Sequence, residues 1–237
     1  MRQMTFGILA ASTLGVVGVF ATPHARAADP TPVPTTSASG SLGAGVDASA
    51  PATLVQTAEA TMLKDLDAHR ADYRAHPDKV HALVDQVLLP HFDTALSARL
   101  VLGKHWREAN DDQKKRFVDA FYRSLLNNYG DALVDLTADK MQVLPYTGDP
   151  NAENATVRTK IRKSDGSSVE VDYGLHKTDQ GWKAWDVVIE GISYVKSFRD
   201  DFDSEIQQKG IDEVIKRLEQ GETPQAIKST SSTIKKS

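Results

Sequence analysis

The chain has 237 residues, with 28 Lys and Arg against 32 Asp and Glu for a net charge of −4, and it contains no Cys. Without Cys there is no disulfide framework, thiol nucleophile, thiolate metal site or lipid-modified cysteine anchor. The acidic balance excludes charge-driven binding to nucleic-acid phosphates, and it leaves lipid contact to local apolar surface rather than general charge.

Arg2, an apolar run from Thr5 to Phe20 and the small residues of Ala25-Arg26-Ala27 read as a signal peptide over residues 1–27. The run is too short to span a bilayer, and cleavage is expected after Ala27. A single Arg ahead of it excludes a twin-arginine signal. Removing Arg2 and Arg26 but no acid takes the charge from −4 to about −6. Residues 28–50 are Pro, Thr, Ser, Gly and Ala with few large apolar side chains, which predicts a disordered leader. Residues 221–237 repeat that composition with several Lys and are expected to form a flexible tail. One domain of about 170 residues, 51–220, remains.

Leu54, Ala58, Met62, Leu66 and Tyr73 follow a loose helical stripe that Pro77 separates from a second one. Val80, Leu83, Val84, Val87 and Leu88 form that second face, which Pro90 ends. A short helix is predicted over 94–102, stopping at Gly103. Asn110 with Gln113 reads as a capping pair opening a long helix that carries Phe117, Phe121, Leu125, Tyr129 and Leu133. Val118, Tyr122 and Leu126 widen its apolar stripe.

Past Asp139 the period changes to two. Residues 141–144 are a weak strand candidate, and Ala155, Val157, Thr159 and Ile161 alternate with polar neighbours as a half-buried antiparallel strand. Asp165-Gly166 supplies a turn, after which Val169, Val171, Tyr173 and Leu175 alternate in the same way. Gln180-Gly181 marks the next turn, and 182–189 is a strand expected to place Trp185, Val187 and Ile189 on one face. At Glu190-Gly191 the spacing becomes helical, with Val195, Phe198 and Phe202. A last helix from Ile211 carries Val214, Ile215 and Leu218 and ends at Gly221.

Chemistry-bearing patterns are sparse. The His residues beyond the signal peptide, His69, His76, His81, His91, His105 and His176, form no spaced metal motif, and His105 receives no role. Asp200, Asp201, Asp203 and Glu205 lack the spacing of a calcium loop and read as a solvated helix face. No nucleophile elbow or phosphate loop is present, and no paired carboxylates stand out, so neither an enzyme nor a cofactor is expected. Apolar surface is plentiful on strands and helices alike. A filled core and an apolar cavity for a ligand both accommodate it.

Three stretches, "SARLVLGKHWREANDDQKKRFVDAFYRSLLNNYGDAL", "SSVEVDYGL" and "GWKAWDVVIEGISYVKSFRDDFDSEIQQKGIDEVIKRL", carry an ordered series of motifs. These are Gly-x-x-Trp at Gly103, Gln-x-x-x-Phe-x-x-x-Phe at Gln113, Trp-x-x-x-Asp-Val at Trp182 and Glu-Gly-x-Ser at Glu190. Together, over Val80 to Leu218, they resemble the MlaC or toluene-tolerance family of periplasmic phospholipid-binding proteins. The resemblance implies an α+β fold, with several helices on a curved antiparallel sheet of about four strands enclosing an apolar lipid pocket. It further implies a periplasmic shuttle with no cofactor and no metal, which holds phospholipid acyl chains. Its expected partners are an outer-membrane lipoprotein–porin complex and an inner-membrane ABC transporter complex with its lipid-binding subunit. In this sequence the implied pocket wall is Phe121, Leu125, Tyr129, Val157, Val171, Tyr173, Trp185, Val187, Ile192, Val195 and Phe198. A periplasmic adaptor or chaperone with an apolar groove for protein segments, and a carrier of another amphiphile such as a hopanoid, are the alternatives.

Overall fold

The computed structural model describes residues 42–137, 139–149, 151–162 and 166–222, all in one compact unit. The expected signal peptide, most of the expected leader, Asp165 of the expected turn and the tail beyond residue 222 lie outside the described residues. Among the described residues there are seven α-helices: α1 (Pro51–Ala75), α2 (Pro77–Val87), α3 (Thr94–Leu102), α4 (His105–Glu108), α5 (Asp111–Leu133), α6 (Tyr194–Lys209) and α7 (Ile211–Glu219). Five strands, β1 (Met141–Val143), β2 (Asn154–Arg162), β3 (Ser168–Thr178), β4 (Gly181–Ile189) and β5 (Ile192–Ser193), form one antiparallel meander in chain order. The α+β class holds, and the sheet, expected to have about four strands, has five, the last of only two residues.

Local chemistry explains the element boundaries. Pro51 and Pro77 open α1 and α2, where a missing N–H costs nothing and the fixed φ suits a first turn. Asn110 and Gln113 form a reciprocal capping box: each backbone N–H donates to the other's side chain, at 3.0 and 2.9 Å. Asp93 caps α3 by accepting from Leu96 N at 2.8 Å, while its own N–H donates to Ala184 O at 2.7 Å, so α3 is hung on β4. Gly103, at φ 54°, ends α3 in a conformation that a side chain would strain.

The strand-to-helix junction is more built than its spacing suggests. Glu190 and Gly191 both have positive φ, 51° and 77°, as a two-residue hairpin turn requires. The chain therefore returns as β5, pairing Ile192 with Ile189, before α6 begins. Asp186, 5% exposed, fixes that geometry: Ser193 Oγ donates to its Oδ2 at 2.6 Å and Val195 N to its Oδ1 at 3.1 Å. Ser193 Oγ in turn accepts from Lys196 N and caps α6.

Apolar burial falls into three clusters. α3, α5, α6 and α7 enclose Phe117, Phe121, Phe198 and Phe202 with Ile215 and Leu218. α1 and α2 enclose Leu66, Val80 and Val87 with Val134 from beyond α5. The start of α1 lies on the sheet through Leu54, Val55, Val157, Leu175 and Trp182. The acidic run of α6 is not simply solvated. Asp203 accepts from Lys104 and from the buried His105, both at 2.8 Å, and Glu205 forms a paired contact with Arg217.

The expected leader boundary at residue 50 moves. Val46 packs against both the α1–α2 cluster and the α1–sheet cluster, Trp182 N donates to Ala48 O at 2.9 Å, and Asp47 N donates to Thr57 Oγ1 at 2.8 Å. A short apolar contact and two hydrogen bonds dock a segment whose composition alone reads as too polar to fold.

Phe202→Ala is expected to lower unfolding free energy by about 3–5 kcal/mol in urea titration, since the ring is fully buried and meets Phe117, Phe121 and Phe198. Asp186→Ala should cost about 2–3 kcal/mol in the same measurement, by leaving Val195 N–H and the Ser193 hydroxyl without their buried acceptor.

Candidate functional site

The three central strands place two transverse rows of side chains on one sheet face. Register aligns Val157 with Tyr173 and Tyr173 with Val187, and beside them Thr159 with Val171 and Val171 with Ile189. Directly paired residues of antiparallel strands point to the same face, so these six form one patch. Val157, Thr159 and Val171 are buried, whereas Tyr173, Val187 and Ile189 are half-buried. Thr159 is the polar member of the β2 wall, and its hydroxyl is satisfied by donating to Val171 O at 2.8 Å.

Part of this patch belongs to the α1–sheet cluster, through Val157 and Tyr173, and the rest extends beyond it. Val171, Val187 and Ile189 belong to none of the three clusters, and α1 packs on the sheet through Leu54 and Val55 before running on to pair with α2. Packed domains ordinarily have one contiguous core. Val171, Val187 and Ile189 are thus apolar side chains of β3 and β4 that none of the three clusters absorbs, whereas Tyr173, Leu175, Trp182 and Ala184 join the α1–sheet cluster.

The eleven side chains expected to line a pocket separate into groups. Val157, Val171, Tyr173 and Val187 share the patch just described. Phe121 and Phe198 are sealed among helices, their ring centroids 5.0 Å apart edge to face, with Phe202 5.8 Å from Phe121. Leu125, Tyr129 and Val195 border that aromatic core as half-buried residues. Tyr129 meets Tyr194 edge on at 5.7 Å, and burial, with a hydrogen-bond contact to Tyr194, pushes the Tyr129 hydroxyl well above its ordinary pKa. Ile192 is 51% exposed at the tip of the β4–β5 hairpin.

Trp185 does not share a strand face with Val187 as expected. The β3–β4 register shifts at Gly174/Leu175: Gly174 pairs with Asp186 but Leu175 with Ala184, which leaves Trp185 as the extra residue of a β-bulge. The displaced indole lies against Gly174, its Cε2 and Cζ2 3.4 Å from where a Cβ would stand. Glycine there leaves the room for the ring on the side of the sheet away from Tyr173.

Residues outside the expected list also reach this region. Ile189 completes the second row, and Glu59 of α1 lies one turn past Val55, half-buried. Burial holds its carboxyl above the ordinary range. The Tyr173 hydroxyl is pushed up to about 12, first by burial and then by the charge of Glu59, with a hydrogen-bond contact to Thr159 acting in the opposite direction. A lone Glu on the flank of a helical stripe carries no sequence signal of this placement.

Two surface cavities lie elsewhere. One of about 350 Å³ is bordered by Asp93, Thr94, Asp179 and Lys183, the other of about 230 Å³ by His69, Asp72, Tyr73 and Lys79 in the crease between α1 and α2. Among the described residues no helix is long and apolar enough to cross a membrane, and no group of three His, Asp or Glu side chains is placed to hold a metal ion.

Comparison with known proteins agrees with this architecture. The chain is 31% identical over 168 residues to the toluene tolerance protein Ttg2D of Pseudomonas putida, covering 70% of this chain and 78% of that protein. It is 23% identical over 175 residues to the intermembrane phospholipid transport system binding protein MlaC of Haemophilus influenzae, covering 72% and 81%. Its fold matches the phospholipid-binding protein from Ralstonia solanacearum, solved in complex with a phospholipid, with a TM-score of 0.66 and 24% identity over 70% of this chain and 93% of that one. The family model described as MlaC protein matches residues 56–220, and this chain belongs to the MlaC family.

Proposed function

We propose that this protein is a periplasmic phospholipid carrier whose acyl-chain site is the inner face of β2, β3 and β4, bounded by α1 and by Leu125, Tyr129 and Val195. The observation that carries the reading is the patch of Val171, Val187 and Ile189, which stays outside every packed cluster. Its likeness to the toluene-tolerance, phospholipid-transport and phospholipid-bound proteins supports the same ligand class. The family consists of lipid-binding transport proteins rather than enzymes, and we assign this chain no reaction.

Each acyl CH₂ kept out of water is worth about 0.8 kcal/mol, so a two-chain lipid does not cross an aqueous space unaided. An apolar protein wall replaces the bilayer interior at nearly equal free energy, which allows both loading and release. Shape-tolerant contacts of Val, Ile and Tyr discriminate poorly by single methylenes, so chain length is read loosely. In this reading the carrier loads and unloads at an outer-membrane lipoprotein–porin complex and an inner-membrane ABC transporter complex, and its traffic maintains outer-membrane lipid asymmetry. In this reading Ile192, exposed at the hairpin tip, and the half-buried Val195 border the lipid beyond the strand–helix junction.

Detergent-free purification followed by native mass spectrometry and lipid extraction is expected to show near-stoichiometric phospholipid. A folded protein that carries none, and takes none from vesicles, would overturn the reading. Val187→Trp, which fills the patch without touching the phenylalanine core, should lower bound lipid by roughly tenfold while helix content by circular dichroism stays at the wild-type level.

A further inference from the structure

The two ends of α1 are held in different ways. In its second half Met62, Leu63 and Leu66 pack with α2, Tyr73 donates to Asp65, and Arg70 donates to the carbonyls of Val134 and Leu136 beyond α5. Its first turns rest on the sheet through Leu54 and Val55. Between the halves, Thr57 Oγ1 donates to Thr53 O at 2.8 Å and Thr61 Oγ1 to Thr57 O at 2.7 Å, back-bonds of the kind that loosen and bend a helix.

Residues 46–48 tie that first end down. Asp47 N donates to the Thr57 hydroxyl at 2.8 Å, and Ala48 O accepts from Trp182 N at 2.9 Å. The sheet is shaped to receive them: a Cβ on Gly181 would stand 2.7 Å from Ala48 O, and Gly181 holds φ at 102°, so a residue with a side chain would both strain the turn and push Ala48 away. Ser49 and Ala50 alone separate Ala48 from Pro51 at the start of α1, and a turn in which Ser49 N donates to Asp47 Oδ1 at 2.9 Å takes up their slack. The first turn of α1 therefore does not rise from the sheet while Ala48 stays docked. Below it, Val157 and Tyr173 belong both to the α1–sheet cluster and to the sheet patch, so this seam and the patch are continuous.

We propose that residues 46–48 are a latch on lipid exchange: docked on Gly181 and Trp182 they hold the first turns of α1 against the sheet, and their release lets that end of α1 lift so that lipid passes in or out. The inference rests on the carrier reading above and adds control of its rate. Two hydrogen bonds and the contacts of Val46 and Ala48 hold the latch, a weak attachment beside the continuous β3–β4 ladder, and elements that move are drawn from such low-stability segments. The back-bonded turn at Thr57 and Thr61 is the flexing point, while the Arg70 clamp keeps the far half of α1 in place. Loosening the latch populates the open form for loading and release alike, so it changes rates and leaves the amount of bound lipid near its original value.

The test is lipid transfer between donor and acceptor vesicles by the full mature chain, followed with pyrene-labelled phosphatidylethanolamine, together with amide hydrogen exchange. Gly181→Ala displaces Ala48, and Val46→Ser removes the apolar contact at a half-buried position. Each should raise the transfer rate by about fivefold, the factor for one lost hydrogen bond or one half-buried valine, at unchanged bound lipid and unchanged helix content by circular dichroism. In the wild type, where no substitution intervenes, the Trp182 amide should exchange faster than the amides paired within the β3–β4 ladder. A Trp182 amide as protected as that ladder, or a folded variant that transfers lipid at the wild-type rate, would overturn the latch while leaving the carrier standing. Failure of the wild type to take up any lipid would instead remove the carrier reading and this inference with it.

Discussion

The buried carboxylate of Asp186 is the constraint on which the two halves of the molecule depend. It accepts from Ser193 and from Val195 N, so one side chain of β4 holds both the returning strand β5 and the first turn of α6. A charge taken out of water needs such donors, and the donors in turn need the tight hairpin of Glu190 and Gly191 to come within reach. The direction in which α6 leaves the sheet follows from this one knot. With it comes the placing of Phe198 and Phe202 against Phe117 and Phe121 of α5.

This division of labour suits the proposed carrier, which would have to stay folded with lipid bound or released. The phenylalanine core is made of helical side chains from α3, α5, α6 and α7, with none from the sheet's inner face. The inner face is left with Val, Ile and Tyr side chains that retain partial exposure. Filling or emptying such a surface changes local packing more than it changes global stability. Its polar atoms include the hydroxyls of Tyr173 and of Thr159, the latter donating to Val171 O.

Much of the fold is legible in residue spacing because local rules and tertiary packing agree. The 94–102 helix with its Gly103 stop and the Asn110–Gln113 capping box appear as their side-chain chemistry demands. Alternation breaks down at Trp185, where one inserted residue reverses the parity of half a strand while the apolar–polar pattern still reads as continuous. The helical stripe of Phe121 and Phe198 announces burial but not its partner, and the partner proves to be another helix. His105 and the α6 acids illustrate the same limit. The Asp203 contact spans 98 residues, a separation over which no local period carries information. Glu59 is silent for a further reason, since an acid beside an apolar stripe normally marks the solvent side of a helix.

The docked segment at residues 46–48 has a consequence for the order in which the chain is assembled. Its carbonyl partner, the Trp182 N–H, lies more than a hundred positions downstream and exists as a binding edge only once the β3–β4 hairpin has formed. This segment therefore has no docking edge until strands far along the chain are paired. Without it, the apolar contact of Leu54 and Val55 with Trp182 lacks the cover that Val46 and Ala48 supply.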